Sequence, residues 1–220
     1  MARARLGMAL QDLAGRIGDD QVLVRTRAGL AVRRMPRYRY PVPPALRASG
    51  ERLRTVSVVW SDLSLPEVEA WRAWAATQKR RDPVTAKVYS PSAKNAFVGL
   101  GVKVLQVDPG AAVPRVPPGA DYAGDGVRLV AAAEPGGVLF SADRPNGPGS
   151  VTELLTQRLV NARRSPTDRY VSAGFVRFEP GALEAFLPLA PGVYALAYRS
   201  VLASTGQMRP LSKLGVVEVG

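Results

Sequence analysis

The stretch of sequence that decides the fold is LAPGVYALAYRSVLAS, residues 189–204. Most of it is a β-prone run, and turn signals bound that run at Pro191-Gly192 and at Thr205-Gly206. Its beginning, from Leu189 to Tyr194, has the form of the corner before a late strand of a two-sheet β domain. At such a corner a tyrosine hydroxyl bonds back to the backbone. The stretch therefore predicts an antiparallel β domain with Tyr194 in its structural core.

Six further β-like runs lie between residues 121 and 220, and turn residues such as Asn146-Gly147-Pro148-Gly149 separate them. The six runs are GVRLVAAA, GGVLFSADR, ELLTQRLVNA, RYVSAGFVRF, EAFLPL and LGVVEV. Seven short strands at regular spacing over about 100 residues are typical of a β-sandwich. We predict an all-β sandwich of the immunoglobulin or fibronectin type III kind over residues 121–220.

Residues 1–108 follow other patterns and predict an α+β region. A short helix is expected over 5–17, a β-hairpin over 21–35, and an extended arm over 35–44, where MPRYRYPVPP contains four prolines. Short helices are expected over 45–62, from about 65 to 79, and over 92–107. Ser64-Leu65-Pro66-Glu67 matches a capping box at the start of the second helix.

A proline-rich stretch, PGAAVPRVPPG, begins at Pro109, and we predict a linker over 109–120 between domains at 1–108 and 121–220. The charge also changes there. Residues 1–108 contain 19 basic and 9 acidic side chains, a net charge of +10, whereas residues 109–220 contain 11 and 9, a net charge of +2. A basic region therefore precedes a nearly neutral one, which indicates an interaction surface in the first region.

The composition argues against catalysis. The sequence has no histidine and no cysteine, so histidine-based triads and thiolate or imidazole metal sites are excluded. The 18 carboxylates are spread singly, without a dense acidic loop. We predict no enzymatic activity, no catalytic residue, no cofactor and no metal. No run of 18 apolar residues occurs, so we expect no membrane partner.

The strongest candidate for binding is a series of arginines and tyrosines in the hairpin and the arm. Arginine binds phosphates and carboxylates through a fixed fork of donors, and tyrosine offers a flat face for stacking. The series predicts an arm that grips nucleic acid or an acidic protein surface; a solvated ribbon is the competing interpretation. The predicted arm residues are Arg25, Arg27, Arg33, Arg34, Arg37, Tyr38, Arg39 and Tyr40.

The tryptophans are predicted to be structural. Trp60, Trp71 and Trp74 recur among apolar neighbours at helical spacing, and Phe97 lies on the apolar stripe of the third helix. Packing in a core explains that spacing better than stacking on a ligand does.

The order of these elements resembles a loosely defined set of phage and prophage proteins. Those proteins place a Trp-x-x-Leu element before a helix that carries Trp and Ala, followed by a helix with an aromatic residue. The matching positions here are Trp60 and Leu63, Trp71 and Trp74-Ala75, and Phe97. The arm of those proteins often reads Asn-Pro-x-Thr followed by Gln, whereas this chain has YPVPPALRASGERL over 40–53.

The resemblance implies a non-enzymatic structural component of a bacteriophage virion, associated with the capsid, connector or tail. The arm would dock on neighbouring subunits, and the sandwich would project as a decoration or accessory domain. The expected partners are other virion structural proteins in an oligomeric assembly. The expected location is the phage particle, and the host cytoplasm before assembly. A nucleic-acid-binding protein that uses the basic arm and an adhesion or carbohydrate-binding module are the alternatives.

Overall fold

The structure is a computed structural model, and it describes residues 15–17, 21–26, 29–34, 41–81, 86–167 and 169–220. The chain divides into two compact units. The first comprises Met1–Gly50 with Lys79–Tyr89, and the second comprises Glu51–Gln78 with Ser90–Gly220. The domain boundaries predicted from the sequence stay a prediction, and each unit is described by itself.

The first unit contains two small antiparallel sheets. Strands β1 (Gly15–Ile17), β2 (Gln21–Thr26) and β3 (Gly29–Arg34) form a meander, and β4 (Arg80–Arg81) pairs with β5 (Val88–Tyr89). The hairpin that the sequence predicts corresponds to β2 and β3. The helix predicted over 5–17 is wrong at its end, because residues 15–17 pair with β2 as a strand; its residues 5–14 lie outside the described residues.

Three helices follow the predicted pattern: α1 (Pro44–Ser61), α2 (Leu65–Thr77) and α3 (Ala93–Val107). Serines precede the second and third helices. Ser92 Oγ accepts a hydrogen bond from the backbone N of Asn95 at 3.2 Å, which satisfies one free donor of the first turn of α3. At α2 the Glu67 carboxylate accepts bonds from the backbone N of Ser64 at 2.7 Å and from its hydroxyl at 2.8 Å. Both helix starts are therefore fixed by local hydrogen bonds.

The helices meet in one hydrophobic cluster. Val56 of α1, Trp71 and Ala75 of α2, and Phe97 of α3 are buried in it. The first and third helices approach closely, since a Cβ at Gly101 would lie 2.8 Å from Val56 Cγ1. Glycine at this position therefore permits the helix crossing.

The C-terminal region is an antiparallel β structure, as the sequence predicts, and each of the seven predicted runs contains a strand. The strands are β6 (Leu129–Glu134), β7 (Gly137–Ala142), β8 (Ser150–Leu159), β9 (Val171–Val176), β10 (Glu184–Pro188), β11 (Gly192–Leu202) and β12 (Ser212–Val219). One sheet has the order β10-β7-β6, and the other has the order β12-β11-β8-β9. Neighbouring strands are antiparallel throughout both sheets.

Both sheets contribute to a second hydrophobic cluster. Val138 and Phe140 of β7 belong to it, as do Leu154 of β8 and Leu196 and Tyr198 of β11. These residues alternate along their strands, so each sheet turns one apolar face toward the shared core.

The longer sheet is also covered on its other face. Leu155, Ala195 and Ala197 point away from the inter-sheet core, because they alternate with its members, and yet all three are buried. Helix α3 lies on this side. A Cβ at Gly206, which has a φ of 74°, would collide with the carbonyl oxygen of Leu100 in α3. The helical region and the longer sheet therefore pack directly against each other.

The proline-rich segment predicted as a linker over 109–120 makes defined contacts in the second unit. Val113 packs against the helical cluster, the backbone carbonyl of Arg115 accepts a hydrogen bond from Trp71, and the carbonyl of Ala120 accepts one from Gln207. The segment is thus attached to the helices at one end and to the loop after β11 at the other. Its separation of two independent domains stays a prediction.

Candidate functional site

The structure describes only part of the predicted arm. Arg33 and Arg34 are exposed on β3, and Arg25 lies in β2, where its backbone pairs with Leu30. The remaining arm residues, Arg27, Arg37, Tyr38, Arg39 and Tyr40, lie outside the described residues. Residues 41–43 are non-helical, and α1 begins at Pro44. The binding role of the arm therefore stays a prediction.

The aromatic residues named in the sequence analysis lie in two cores. The ring of Phe97 lies 5.3 Å from that of Trp60 and 5.2 Å from that of Trp71, and Trp74 stands edge-on to Trp71 at 5.6 Å. Tilted and edge-to-face pairs at these distances add to the stabilisation that burial gives. Tyr194 lies in the inter-sheet core, and its hydroxyl donates a hydrogen bond to the carbonyl of Ala190 at 2.9 Å.

Arg115 binds the start of α2. Its guanidinium donates to both carboxylate oxygens of Glu67, at 2.7 and 2.9 Å, and to the carbonyl of Asp62 at 2.7 Å. The bond from Arg115, together with those from Ser64, lowers the pKa of Glu67 from 4.5 to about 2. The Glu67 carboxylate therefore joins the start of α2 to the proline-rich segment. The capping-box pattern in the sequence predicts the bonding between Glu67 and Ser64, but it does not predict the bonds from Arg115.

We expect Arg115→Ala to raise the pKa of Glu67 toward its ordinary value, because the largest cause of the shift is removed. A lowered carboxyl pKa stabilises the fold above pH 4.5, and that contribution is lost as the pH falls toward about 2. The variant should therefore begin to lose this contribution at a higher pH. A carbon-13 NMR titration of the glutamate side chains measures the shift directly.

Arg144→Ala is the matched control, since Arg144 is an exposed arginine that pairs with Asp143 at 3.1 Å. It should leave the titration of Glu67 unchanged. A Glu67 pKa that stays near 2 without Arg115 would show that the two bonds from Ser64 are sufficient.

A buried ionic cluster connects α3 with the longer sheet. Glu153 of β8 is completely buried; its Oε1 pairs with Lys103 Nζ at 2.8 Å, and its Oε2 pairs with Arg199 Nε at 2.6 Å. Lys103 also donates to Gln106 Oε1 at 2.7 Å and lies 5.3 Å from the ring centre of Phe175. One carboxylate thus binds one cation from the helix and one from the neighbouring strand.

The charged groups of this cluster stabilise one another only in part. Burial alone would raise the pKa of Glu153, but the bonds from Arg199 and Lys103 outweigh burial and lower it. Burial is also the largest cause that lowers the pKa of Lys103, against the bond to Glu153. Arg52 of α1 further lowers the pKa of Lys103, and its own buried Nε has no hydrogen-bond partner in the described part of the chain. Positive charge is therefore in excess around Glu153.

A second polar group lies at one end of the inter-sheet core. Asp125 accepts hydrogen bonds from Ser200 Oγ at 2.7 Å and from Asn146 Nδ2 at 2.6 Å. Asn146 also donates to Thr152 Oγ1 at 2.9 Å, and its Oδ1 accepts the backbone N of Phe178 at 2.8 Å. Burial would raise the pKa of Asp125, yet these bonds lower it. The group holds the ends of several strands together and leaves the carboxylate fully bonded.

An open cleft of about 280 Å³ lies beside this group. Tyr198, Ser200, Arg209 and Ser212 are among its lining residues. Arg209 is exposed, and its side chain packs against Gly124, whose φ is 90°. Ser200 Oγ, one of the hydroxyls in this lining, donates its hydrogen bond to Asp125.

Sequence reasoning did not find the ionic cluster or the Asp125 group. Glu153 is the first residue of an apolar run in the sequence. Its partner Lys103 lies 50 positions earlier, in a helix that the sequence predicts from its apolar stripe. A charged residue in a run that is buried on both faces is the signal that would have indicated a buried ion pair.

The described residues contain no group of three or more acidic, histidine or cysteine side chains that would suit a metal ion. None of the described helices has the length and apolar character that crossing a membrane requires. Comparisons with protein-family models, with curated proteins and with solved structures give no match.

Proposed function

We propose that this chain is a non-enzymatic structural component of a bacteriophage particle. The observation that carries the proposal is the aromatic cluster of the helices. The residues on which the phage-protein resemblance rests, Trp60, Trp71, Trp74 and Phe97, lie on three different helices, and their rings meet in one core. The short motifs of the resemblance therefore share one structural role, which is packing in this core.

We further propose that the seven C-terminal strands form a sandwich of the immunoglobulin or fibronectin type III class. Lettered in that scheme, the strands would run A, B, C, C′, E, F, G, and their sheet orders would be E-B-A and G-F-C-C′. Tyr194, near the start of β11, donates a hydrogen bond to the carbonyl of Ala190, four residues earlier. This bond supports the assignment, because such domains have a tyrosine corner at this position. Sandwiches of this class serve many unrelated functions, so this assignment alone gives no ligand.

In this proposal the basic first unit and the arm bind neighbouring structural proteins, and the sandwich is an accessory domain of the particle. The exposed arginines of β3 support the first part, because guanidinium groups suit contacts with acidic protein surfaces. An extended arm gains affinity by ordering on its partner, which favours assembly over turnover.

The proposal is tested on particles. Phage production is induced in the source strain, particles are banded in a density gradient, washed in high salt and treated with nuclease, and the chain is quantified by mass spectrometry. We expect the chain in a fixed ratio to the other particle proteins. A version that lacks residues 1–40, supplied in trans, should be excluded from particles, whereas the full chain should enter. Absence of the full chain from washed particles would refute the proposal.

A further inference from the structure

The positive charge of the C-terminal half is concentrated in one loop. Residues 109–220 contain 11 basic and 9 acidic side chains, and residues 158–169 alone contain four arginines and one aspartate. The rest of that half therefore has 7 basic and 8 acidic side chains. The net charge of +2 for this half is the sum of +3 at residues 158–169, which comprise the last two residues of β8 and most of its connection to β9, and −1 elsewhere.

The arginines of the second unit fall into two groups, those that form an ion pair with a carboxylate of the described residues and those that do not. Arg115, Arg144, Arg177 and Arg199 each form an ion pair with a carboxylate. In contrast, Arg163, Arg164 and Arg169 are exposed and form no ion pair with a carboxylate of the described residues. Their guanidinium groups are available to an external anion.

Hydrogen bonds fix the shape of residues 157–167. At its base, Gln157 Nε2 donates to Thr167 Oγ1 at 2.6 Å, and the backbone N of Thr167 donates to Gln157 Oε1 at 3.0 Å. At its tip, Asn161 accepts the backbone N of Arg163 on Oδ1 at 3.1 Å and that of Arg164 on its carbonyl at 3.2 Å. A preformed loop orders fewer groups on binding, which lowers the entropic cost of an encounter.

The composition of the loop distinguishes between two kinds of anionic partner. A protein interface needs an apolar or aromatic centre, and between residues 161 and 167 the side chains are small, polar or cationic. Contacts to a phosphate backbone come instead from arginine, serine, threonine, asparagine and backbone N–H groups. Two large apolar residues, Val160 at the start of the loop and Val171 just after its end, are exposed.

We propose that the loop between β8 and β9 is a second anion-binding surface, separate from the N-terminal arm, which contacts the phosphate backbone of nucleic acid without reading its sequence. The whole chain supports this choice, since its net charge of +12 attracts a polyanion over a long range. The inference does not depend on the virion proposal.

The test measures binding of the full chain to a fluorescently labelled 20-base-pair duplex by anisotropy, at several salt concentrations. The loop variant is the triple substitution Arg163→Ala, Arg164→Ala and Arg169→Ala. The control is Arg128→Ala, Arg144→Ala and Arg177→Ala, which removes the same charge from exposed positions elsewhere in the second unit. Circular dichroism and thermal unfolding confirm that both variants fold.

We expect the loop variant to lose affinity at least about tenfold near 0.1 M salt and to lower the slope of log K against log salt by about 2 to 3, since each phosphate contact contributes about 0.9. The control should change the slope by less than about 1. Equal losses in the two variants, or no binding of the wild-type chain at about 0.05 M salt, would refute the inference. Tighter binding of poly-L-glutamate than of the duplex, with the same dependence on the three arginines, would show instead that the loop binds an acidic protein.

Discussion

Glu153→Ala is expected to lower the free energy of unfolding by about 3–5 kcal/mol, because it leaves Lys103 and Arg199 at a buried site without their shared anion. Their repulsion, and that of Arg52, would then be uncompensated at the junction of α3 with the longer sheet. Urea denaturation, followed by circular dichroism, measures the change.

Glu179→Ala is the control for charge, since Glu179 pairs with Arg177 at 4.0 Å and both side chains are exposed. Exposed ion pairs contribute little, so its unfolding midpoint should stay close to that of the wild type. A similar small effect for Glu153→Ala would mean that water enters the cluster and solvates both cations.

The same carboxylate gives the cluster a pH dependence. The lowered pKa of Glu153 stabilises the fold at pH values above the ordinary range of a carboxyl group, and this contribution is lost as the pH falls through the lowered value. We therefore expect Glu153→Ala to cost most near neutral pH, and the difference from the wild type to shrink in acid.

Phe97→Ala should have an effect of similar size, about 3–5 kcal/mol, because it empties the space between two tryptophan rings in a closed core. The side chain is only 1% exposed, so water cannot fill that space at low cost. Tryptophan fluorescence follows the loss directly, since Trp60, Trp71 and Trp74 are the three tryptophans of the chain and all belong to this cluster.

Phe186→Ala removes the same ring from β10, where it is 51% exposed, and should cost far less. Equal destabilisation by the two substitutions would contradict a closed aromatic core between the helices.

The sequence predicts the elements better than it predicts their arrangement. Local signals are sufficient for the helix starts, where Ser64 and Ser92 precede their helices, and for the turns that separate the seven strands. The helix predicted over 5–17 fails at its end because apolar residues at helical spacing are a weak signal, and strand pairing with β2 overrides it at 15–17.

Contacts between distant segments could not be predicted in the same way. The proline-rich segment has the composition of a flexible spacer, and composition does not indicate that Arg115 reaches Glu67, 48 positions away. Nor does the alternation in β11 reveal that both of its faces are buried, because Ala195 and Ala197 suit an exposed face and a tightly packed face equally well. The candidate site of the sequence, the arginine arm, falls largely outside the described residues.

The coverage of the longer sheet on both faces affects how this protein can change through evolution. A recombination event that transferred residues 121–220 alone would carry Glu153 without its partner Lys103. The helices and the sheets are therefore expected to be inherited as one block, despite the proline-rich segment that runs between them. The shorter sheet has no ion pair with the helices among the described residues, and insertions in its turns are the easier route to new variants of this chain.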